Sequence, residues 1–213
     1  MRSERRILGI DEAGRGPVIG PMVIAGVLFR AETIPELVSI GVKDSKKLTP
    51  RARERLLGKI LEISEGSHVR VISAAEIDEL RKTKSLNQVE AEEMAEIIKR
   101  SLPDEVHLGS VDVDEKRFGA EIMRLSGFDR TIRSVHHAED KFPAVAAASI
   151  VAKTTRDRVI GELRAEYGDF GSGYPSDPRT RAFVSNALVK GDCTPIIRAS
   201  WKTVAGLKGP QLS

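Results

Sequence analysis

The sequence predicts an α/β fold in which a mixed sheet of about five strands carries helices on both faces. Three observations favour this class. Strand-like apolar segments come first, at residues 7–10, 21–29 and 68–72. Two short strands, at residues 106–108 and 131–135, then alternate with helical segments. No internal repeat, low-complexity segment or linker interrupts the chain, so we expect one domain over residues 1–213.

The first two predicted strands flank a glycine-rich turn. The apolar run at residues 7–10 leads straight into the carboxylates Asp11 and Glu12, and residues 14–20 then predict a tight turn. Because the β-branched segment at residues 21–29 follows this short turn, we expect it to lie antiparallel to the first strand. The two carboxylates therefore fall at the edge of a sheet, where open α/β folds place their chemistry.

Capping residues and apolar periodicity place the helices. Thr49 precedes Pro50 as an N-cap, and Ser73 and Ser85 are N-caps of the next two predicted helices. Pro143 begins a long alanine-rich helix that continues to residue 167. We expect residues 178–213 to form a helical C-terminal extension. The other predicted helices span residues 50–63, 73–80, 85–101, 114–125 and 179–189.

The charge balance and the single cysteine limit the function classes. A net charge of +3 and a pI near 9.0 are compatible with a polyanionic partner but do not by themselves indicate one. Cys193 excludes an internal disulfide and a cysteine-only zinc site, and it suits a reducing compartment. No apolar stretch reaches the length of a membrane span. We therefore expect a cytoplasmic protein without membrane association.

Three pairs of carboxylates lie close to the ends of predicted strands and helices. Carboxylate oxygens are the ligands that Mg²⁺ and Mn²⁺ prefer, and two such ions can activate water at a phosphodiester. If the strands are neighbours, the pairs gather at one edge of the sheet. Taken singly, the second pair also suits a turn and an N-cap, and the third pair a helix N-terminus. The pairs are Asp11 with Glu12, Asp112 with Asp114, and Glu139 with Asp140.

A glycine-rich turn, a tyrosine and several cationic side chains suit binding to nucleic acid. The turn at Gly14, Arg15 and Gly16 offers backbone N–H groups and a guanidinium to a phosphate or a sugar. Tyr174, in a Gly-Ser-Gly-Tyr-Pro loop, suits stacking on a nucleoside and sensing a 2′-hydroxyl, but packing under its own loop fits the sequence equally well. Most of the remaining cations are expected to be solvated, with a few touching phosphate. They include Lys43, Lys46, Lys47, Lys153, Arg156, Arg179 and Arg198.

The spacing of the histidines and the absence of short catalytic motifs limit the possible classes of enzyme further. His107, His136 and His137 are not spaced as H-E-x-x-H, and no CxxC pair is present, so the sequence predicts no zinc site. It also contains no G-x-S-x-G, Walker or G-x-G-x-x-G motif.

Four ordered motifs resemble those of the ribonuclease HII family in its archaeal-type form. Residues 10–17 read IDEAGRGP, and residues 43–49 read KDSKKLT. Residues 146–153 read AAASIVAK, and residues 171–180 read GSGYPSDPRT, with WKT following at 201–203. The match is collinear over nearly the whole chain, which makes it far more specific than a single short pattern.

The resemblance implies a ribonuclease H-like fold and an endonuclease that depends on Mg²⁺ or Mn²⁺. Its substrate would be RNA in RNA–DNA hybrids, or ribonucleotides embedded in duplex DNA, with 5′-phosphate and 3′-hydroxyl products. We expect a monomer, with the C-terminal extension packed near the substrate groove. The tail at residues 210–213 lacks paired aromatics, so we predict no sliding-clamp peptide there. A DNA exonuclease or integrase-like enzyme on the same fold is the alternative from another class.

The resemblance also assigns roles to residues. Asp11 and Glu12 match the first two of the family's four acids, and Arg15 with its glycines and Tyr174 would read the ribonucleotide at the junction. Lys46, Lys47 and Lys153 would lie near the phosphates. The residues matched to substrate contacts are thus Gly14, Arg15, Gly16, Lys46, Lys47, Lys153 and Tyr174.

Two positions depart from the family's pattern. Gly109 stands where the third acid is expected, and Glu139, with Asp140 beside it, stands at the fourth. Glu139 keeps a carboxylate, whereas Gly109 has no side chain to bind metal. Asp112 could move into that place, the metal could be held by fewer ligands, or the chain could be an inactive form that binds hybrid without efficient turnover. Asp11, Glu12, Glu139 and Asp112 are the expected metal ligands, and Asp140 is a further catalytic candidate.

Overall fold

A single five-stranded mixed sheet organises the protein. The computed structural model describes residues 5–42, 48–192 and 194–207. The spatial order of the strands is β3-β2-β1-β4-β5, so β1 is central. β1 pairs antiparallel with β2 and parallel with β4, and β4 pairs parallel with β5. The strands are β1 (Arg6–Ala13), β2 (Met22–Arg30), β3 (Gly66–Ile72), β4 (Glu105–Gly109) and β5 (Thr131–Val135).

The helices follow the strands in the predicted alternation. The predicted number of strands and the antiparallel β1–β2 pair are confirmed. A 3₁₀ turn at Ala31–Thr33 follows β2. The helices are α1 (Ile34–Ser39), α2 (Pro50–Ile63), α3 (Ala74–Leu80), α4 (Leu86–Ser101), α5 (Glu115–Ser126), α6 (Ala138–Lys141), α7 (Pro143–Tyr167), α8 (Pro178–Val189) and α9 (Lys202–Leu207).

The three predicted N-caps are confirmed because each hydroxyl satisfies a free backbone donor. Thr49 accepts from the Ala52 N–H, and Ser73 accepts from the Glu76 N–H. Ser85 forms a full capping box with Gln88. The helices α1 and α6, which the sequence did not predict, have only six and four residues. Elements this short do not show two turns of apolar periodicity, and tertiary packing decides them.

The sheet differs from the prediction at the end of β1. The predicted strand stopped at Ile10, but β1 continues to Ala13 because Asp11, Glu12 and Ala13 pair with residues 23–25 of β2. The two carboxylates are therefore held by the sheet itself. A strand backbone fixes the direction of its side chains more tightly than a turn does.

Gly9 sets the position of the long helix on the sheet. A Cβ at Gly9 would lie 2.1 Å from the Ala144 carbonyl oxygen, so only glycine lets α7 begin directly over the centre of β1. The small, buried face of α7 continues this close approach through Ala147 and Ala148. The packing brings the next turns of α7, with Ser149 and Lys153, to the carboxyl end of β1.

Two compact units divide the chain. The first consists of Met1–Ala13, Val23–Arg70 and Ser85–Thr155, and its core contains buried residues of β1, β2, α2 and α7. The second consists of Gly14–Met22, Val71–Lys84 and Arg156–Ser213. Its core contains Val18, Ile19, Phe170 and Val184. Within the described residues, no helix has both the length and the apolarity that crossing a membrane would require.

Candidate active site

A cavity of about 290 Å³ in the first unit brings together three of the six carboxylates that the sequence singled out: Asp11, Glu12 and Glu139. β1, β4 and β5 are adjacent, and the parallel register pairs Ile10 with Leu108 and Gly109 with Val135. The carboxyl ends of these three strands therefore meet at one edge of the sheet. The cavity is lined by Asp11, Glu12, Gly109, Ser110, His136, His137, Glu139 and Lys153.

Asp11 is the buried carboxylate of this cavity. Its exposed fraction is 8%. Burial raises the pKa of Asp11 well above its ordinary value, and the neighbouring charges of Glu12 and Glu139 raise it further. The Ser149 hydroxyl and the Lys153 ammonium oppose this rise. The described neighbours of Asp11 thus disfavour its charged form, and a divalent cation would favour it.

Gly109 faces the same carboxylates. A Cβ built at Gly109 would lie 3.2 Å from Asp11 Oδ1 and 4.0 Å from Glu12 Oε2. A side chain at this position would therefore point at the two acids, as a further metal ligand would. In this chain the residue is glycine, so no side chain points there. The backbone position of the expected third acid is present, and its carboxylate is missing.

The carboxylates present fit a hard divalent cation. Asp11, Glu12 and Glu139 offer only oxygen donors, which suit Mg²⁺ or Mn²⁺. Glu139 lies on α6, one turn before α7. Its carboxylate also forms a compact group with His137 and Asp140, whose ligand atoms all lie within 4.8 Å of one another. His137, which sequence reasoning set aside for want of a zinc motif, therefore lies beside the fourth acid.

The structure places Asp112 in a hydrogen-bond network of its own, apart from the cavity that Asp11 lines. Arg117 Nη2 donates to its two oxygens at 2.6 and 2.7 Å, Asn87 Nδ2 donates at 3.1 Å, and the Asp114 N–H donates at 3.0 Å. The Asp114 N–H, Arg117 and Asn87 lower the pKa of Asp112 to about 2. Asp112 is not among the described residues that line the cavity, and its carboxylate does not fill the space beside Gly109.

Asp114 also has a structural role. Its side chain accepts hydrogen bonds from the Lys116 and Arg117 backbone N–H groups and caps α5. Asp112 and Asp114 thus have the geometry of the alternative interpretation, a turn residue followed by an N-cap. The nearby acids Glu139 and Asp140 differ, because Glu139 lines the cavity whereas Asp140 is exposed on α6.

The glycine-rich turn and Tyr174 come together in the second unit. Gly14 has φ +86°, and a Cβ there would lie 2.2 Å from Arg156 Nε, so this position requires glycine. A Cβ at Gly16 would lie 3.5 Å from Tyr174 Cε1. The tyrosine is 43% exposed rather than packed under its own loop. Gly16 and Tyr174 thus lie side by side on the surface of the second unit.

The loop of Tyr174 is held rigidly. The Gly173 carbonyl accepts from the Val18 N–H at 2.8 Å, and Asp177 Oδ2 accepts from the Ser172 N–H at 2.7 Å. Positive φ values at Gly171 and Gly173 explain the glycines of this loop.

Among the predicted cations, Lys153 lines the carboxylate cavity. Lys43, Lys46 and Lys47, like Cys193 and the tail at 208–213, lie outside the described residues.

Sequence reasoning missed four residues near these sites. Ser110, His136 and His137 line the carboxylate cavity, and the Ser149 hydroxyl acts on Asp11. Ser149 is part of the helix motif AAASIVAK, so that motif was the available signal. Ser110 and His137 had no comparable signal, because they are placed by the ends of β4 and β5.

Comparison with known proteins supports the same class. The family model described as Ribonuclease HII matches residues 8–204. A ribonuclease HII of Thermococcus onnurineus is 46% identical over 202 residues, covering 93% of this chain and 88% of the relative. The crystal structure of ribonuclease H2 from Pyrococcus horikoshii matches with a TM-score of 0.89 and 43% identity, covering 95% of this chain and 97% of that one.

A second solved structure agrees. The ribonuclease HII in the PCNA complex from Archaeoglobus fulgidus matches with a TM-score of 0.85 and 42% identity, over 92% of this chain and 95% of that one. The five-stranded sheet with its helices places the chain in the ribonuclease H-like fold class, as the resemblance implied. Within that class, the chain belongs to the ribonuclease HII family.

Proposed function

We propose that this protein is a metal-dependent endoribonuclease that cleaves RNA in RNA–DNA hybrids and at ribonucleotides embedded in duplex DNA. The products would carry 5′-phosphate and 3′-hydroxyl ends. The observation that carries the proposal is the cavity in which Asp11 and Glu12 of β1 meet Glu139 of α6. The raised pKa of Asp11 supports it, because this carboxylate lacks full compensation without a cation.

Asp11, Glu12 and Glu139 would hold Mg²⁺ or Mn²⁺. When bound, such an ion lowers the pKa of a water and stabilises the leaving oxygen of a phosphodiester. Asp11 is fixed by its ladder position opposite Ala25, so its oxygens need little reorganisation. Lys153, on the same cavity wall, would contact a phosphate oxygen and orient the scissile bond.

The residues of the second unit would select the ribonucleotide. Tyr174 presents an exposed ring edge and hydroxyl beside Gly16, an arrangement that suits stacking on a sugar–base unit and sensing its 2′-hydroxyl. Gly14, Arg15 and Gly16 would supply backbone and guanidinium donors. Lys46 and Lys47 stay predicted phosphate contacts.

Gly109 favours a second candidate function: a weakened enzyme that binds its substrate without efficient turnover. The missing carboxylate would have lain against Asp11 and Glu12. With one oxygen ligand fewer, the cation would be held less firmly and in less defined geometry. This candidate keeps substrate recognition, because Tyr174 and the glycine-rich turn are intact.

One experiment separates these functions. The parent, Gly109→Asp and Asp11→Asn are incubated with Mn²⁺ or Mg²⁺ and a duplex carrying one ribonucleotide, a continuous hybrid, or DNA alone. We expect cleavage at the ribonucleotide by the parent and about 10- to 100-fold faster cleavage by Gly109→Asp, the range for one group that supports a metal site. Asp11→Asn serves as the inactive control.

The other outcomes are equally informative. Robust cleavage by Gly109→Asp with none by the parent would establish the binding-only candidate. No cleavage by either protein would remove the enzymatic proposal. Degradation that needs a free end, or that ignores the 2′-hydroxyl, would indicate the DNA exonuclease or integrase-like alternative.

The remaining expectations rest on the sequence. The single cysteine supports a cytoplasmic location, and we expect a monomer. The Archaeoglobus fulgidus relative forms a complex with PCNA.

A further inference from the structure

Arg198 is a fully buried cation that holds the glycine-rich turn from behind. Its side chain is 0% exposed. Arg198 Nε donates to the Gly20 carbonyl at 2.9 Å, Nη1 to the Arg15 carbonyl at 3.1 Å, and Nη2 to the Gly14 carbonyl at 2.7 Å. A guanidinium is a rigid planar fork, so three bonds to one short segment fix that segment's shape.

The guanidinium is itself fixed from two sides. The guanidinium lies 4.8 Å from the centre of the Trp201 ring. The backbone N–H of Arg198 donates to the Val18 carbonyl at 2.8 Å. The Gly20 N–H donates to the Ile196 carbonyl at 2.8 Å. The turn and the segment around Arg198 are therefore tied together by backbone and side-chain bonds, all within the second unit.

A second buried cation supports the same turn. Arg156 Nε donates to the Pro21 carbonyl at 3.1 Å and occupies the space where a Cβ of Gly14 would lie. Burial, together with the charge of Arg156, lowers the pKa of Arg198 to about 9, and Asp78 opposes this shift. Arg198 is still charged at neutral pH. Positive charge is thus concentrated behind the turn.

The direction of the Arg198 bonds determines where the turn's N–H groups point. In a trans peptide, the carbonyl of one residue and the N–H of the next point in opposite directions. Because the Gly14 and Arg15 carbonyls face Arg198, the Arg15 and Gly16 N–H groups face away from it. Consecutive N–H groups presented on one side form a site for an anionic or polar oxygen. A cation on the carbonyl side polarises both peptides and strengthens these donors.

We propose that Arg198 is a positioning residue for ribonucleotide recognition. It holds the Gly14–Gly16 turn so that the Arg15 and Gly16 N–H groups are presented to the sugar–phosphate of the substrate. This inference rests on the proposed function of the turn. It differs from a structural role because the bonds of Arg198 to the Gly14 and Arg15 carbonyls orient two specific donors, in addition to filling the core of the second unit.

Arg198→Lys tests the inference, because lysine keeps a positive charge but cannot bond three carbonyls in one plane. Fluorescence anisotropy in EDTA, where no phosphodiester is cut, measures binding to two duplexes of one sequence, with and without a single ribonucleotide. The matched control is Arg81→Gln, since Arg81 lies 5.0 Å from the same Trp201 ring on an exposed helix end. Melting temperatures show which variants are folded.

We expect the parent and Arg81→Gln to prefer the ribonucleotide duplex, and Arg198→Lys to lose about tenfold or all of that preference, as expected when charge-assisted bonds are removed. A folded Arg198→Lys protein with the parent's preference would overturn the inference and leave the proposed function intact. A parent without any preference would overturn both.

A measurement on the unaltered protein decides the question if Arg198→Lys does not fold. The buried, hydrogen-bonded Arg198 Nε–H should exchange slowly and give its own ¹⁵N–¹H signal. We expect the ribonucleotide duplex to shift this signal and the all-DNA duplex to leave it in place. The same response to both duplexes, or to neither, would contradict the positioning role.

Discussion

Asp11 and Asp112 are the same residue type in opposite environments. Both are almost fully buried, at 8% and 9% exposure. Asp11 shares its cavity with Glu12 and Glu139, and its pKa is raised. Asp112 accepts hydrogen bonds from Arg117, Asn87 and a backbone N–H, and its pKa is lowered to about 2. Burial beside other carboxylates raises the pKa of Asp11, whereas direct hydrogen bonds from a backbone N–H, Arg117 and Asn87 keep Asp112 charged.

Asp11→Asn should have the largest effect. We expect cleavage to fall by about 100- to 1,000-fold, the range for loss of one preorganised electrostatic group. The same change removes a buried charge that is disfavoured in the apo protein, so Tm in EDTA should rise by about 2–4 °C, the shift that ~1 kcal/mol produces in a domain of this size. Initial rates and thermal melts measure the two effects. A lower Tm would show that Asp11 is compensated in the folded protein.

Lys153→Gln should have an intermediate effect: it should strengthen metal binding and slow cleavage. Lys153 is the cation of the carboxylate cavity and opposes the raised pKa of Asp11. Its loss should tighten Mn²⁺ binding in calorimetry, because less positive charge repels the ion. Cleavage should fall by about tenfold because a phosphate contact is lost. If both metal binding and cleavage weaken together, Lys153 supports the fold of the cavity rather than the substrate.

Asp112→Asn is the matched control for Asp11→Asn. We expect cleavage by the folded protein to stay within about twofold of the parent, because Asp112 lies outside the cavity. Tm should fall, since Arg117 loses its charged acceptor and the start of α5 loses support. A loss of cleavage as large as that of Asp11→Asn would restore Asp112 as a metal ligand.

The smallest expected effect is on the pH dependence of stability, to which Asp11 and Asp112 should contribute with opposite trends. The folded pKa of Asp11 lies above its unfolded value of about 4, so its contribution to stability is lost as pH rises through that interval. The folded pKa of Asp112 is about 2, so its contribution is present above pH ~4 and lost as pH falls toward 2.

Thermal melts in EDTA from pH 3 to pH 7, a range chosen to bracket the carboxyl pKa values, measure both trends. The Tm advantage of Asp11→Asn over the parent should widen as pH rises. The Tm deficit of Asp112→Asn should narrow as pH falls. Parallel curves for all three proteins would show that neither carboxyl group has a shifted pKa.

Much of the fold could be read from the sequence because its signals are local. Alternating or continuous apolar runs identified the five strands, and hydroxyl residues before amphipathic segments identified the caps. The end of β1 was misjudged because charged residues seldom continue a buried strand, and only pairing with β2 extends it to Ala13. The short helices α1 and α6 depend on packing in the same way.

The candidate site could be read only in part. The motifs named Asp11, Glu12, Glu139 and Tyr174, and the structure places the three acids around one cavity. They did not decide the role of Asp112, which depends on Arg117 five residues further on and on Asn87 from another helix. Arg198 was grouped with cations expected to be solvated, but it is fully buried behind the turn.

The sequence by itself determined the family, the order of the strands along the chain and the absence of a carboxylate at position 109. Only the tertiary structure decided which acids share a cavity, that a side chain at Gly109 would face Asp11, and that Arg198 orients the turn. The physical reason is that secondary structure follows from neighbouring residues, whereas pKa values and donor directions depend on distances and burial among residues far apart in the chain.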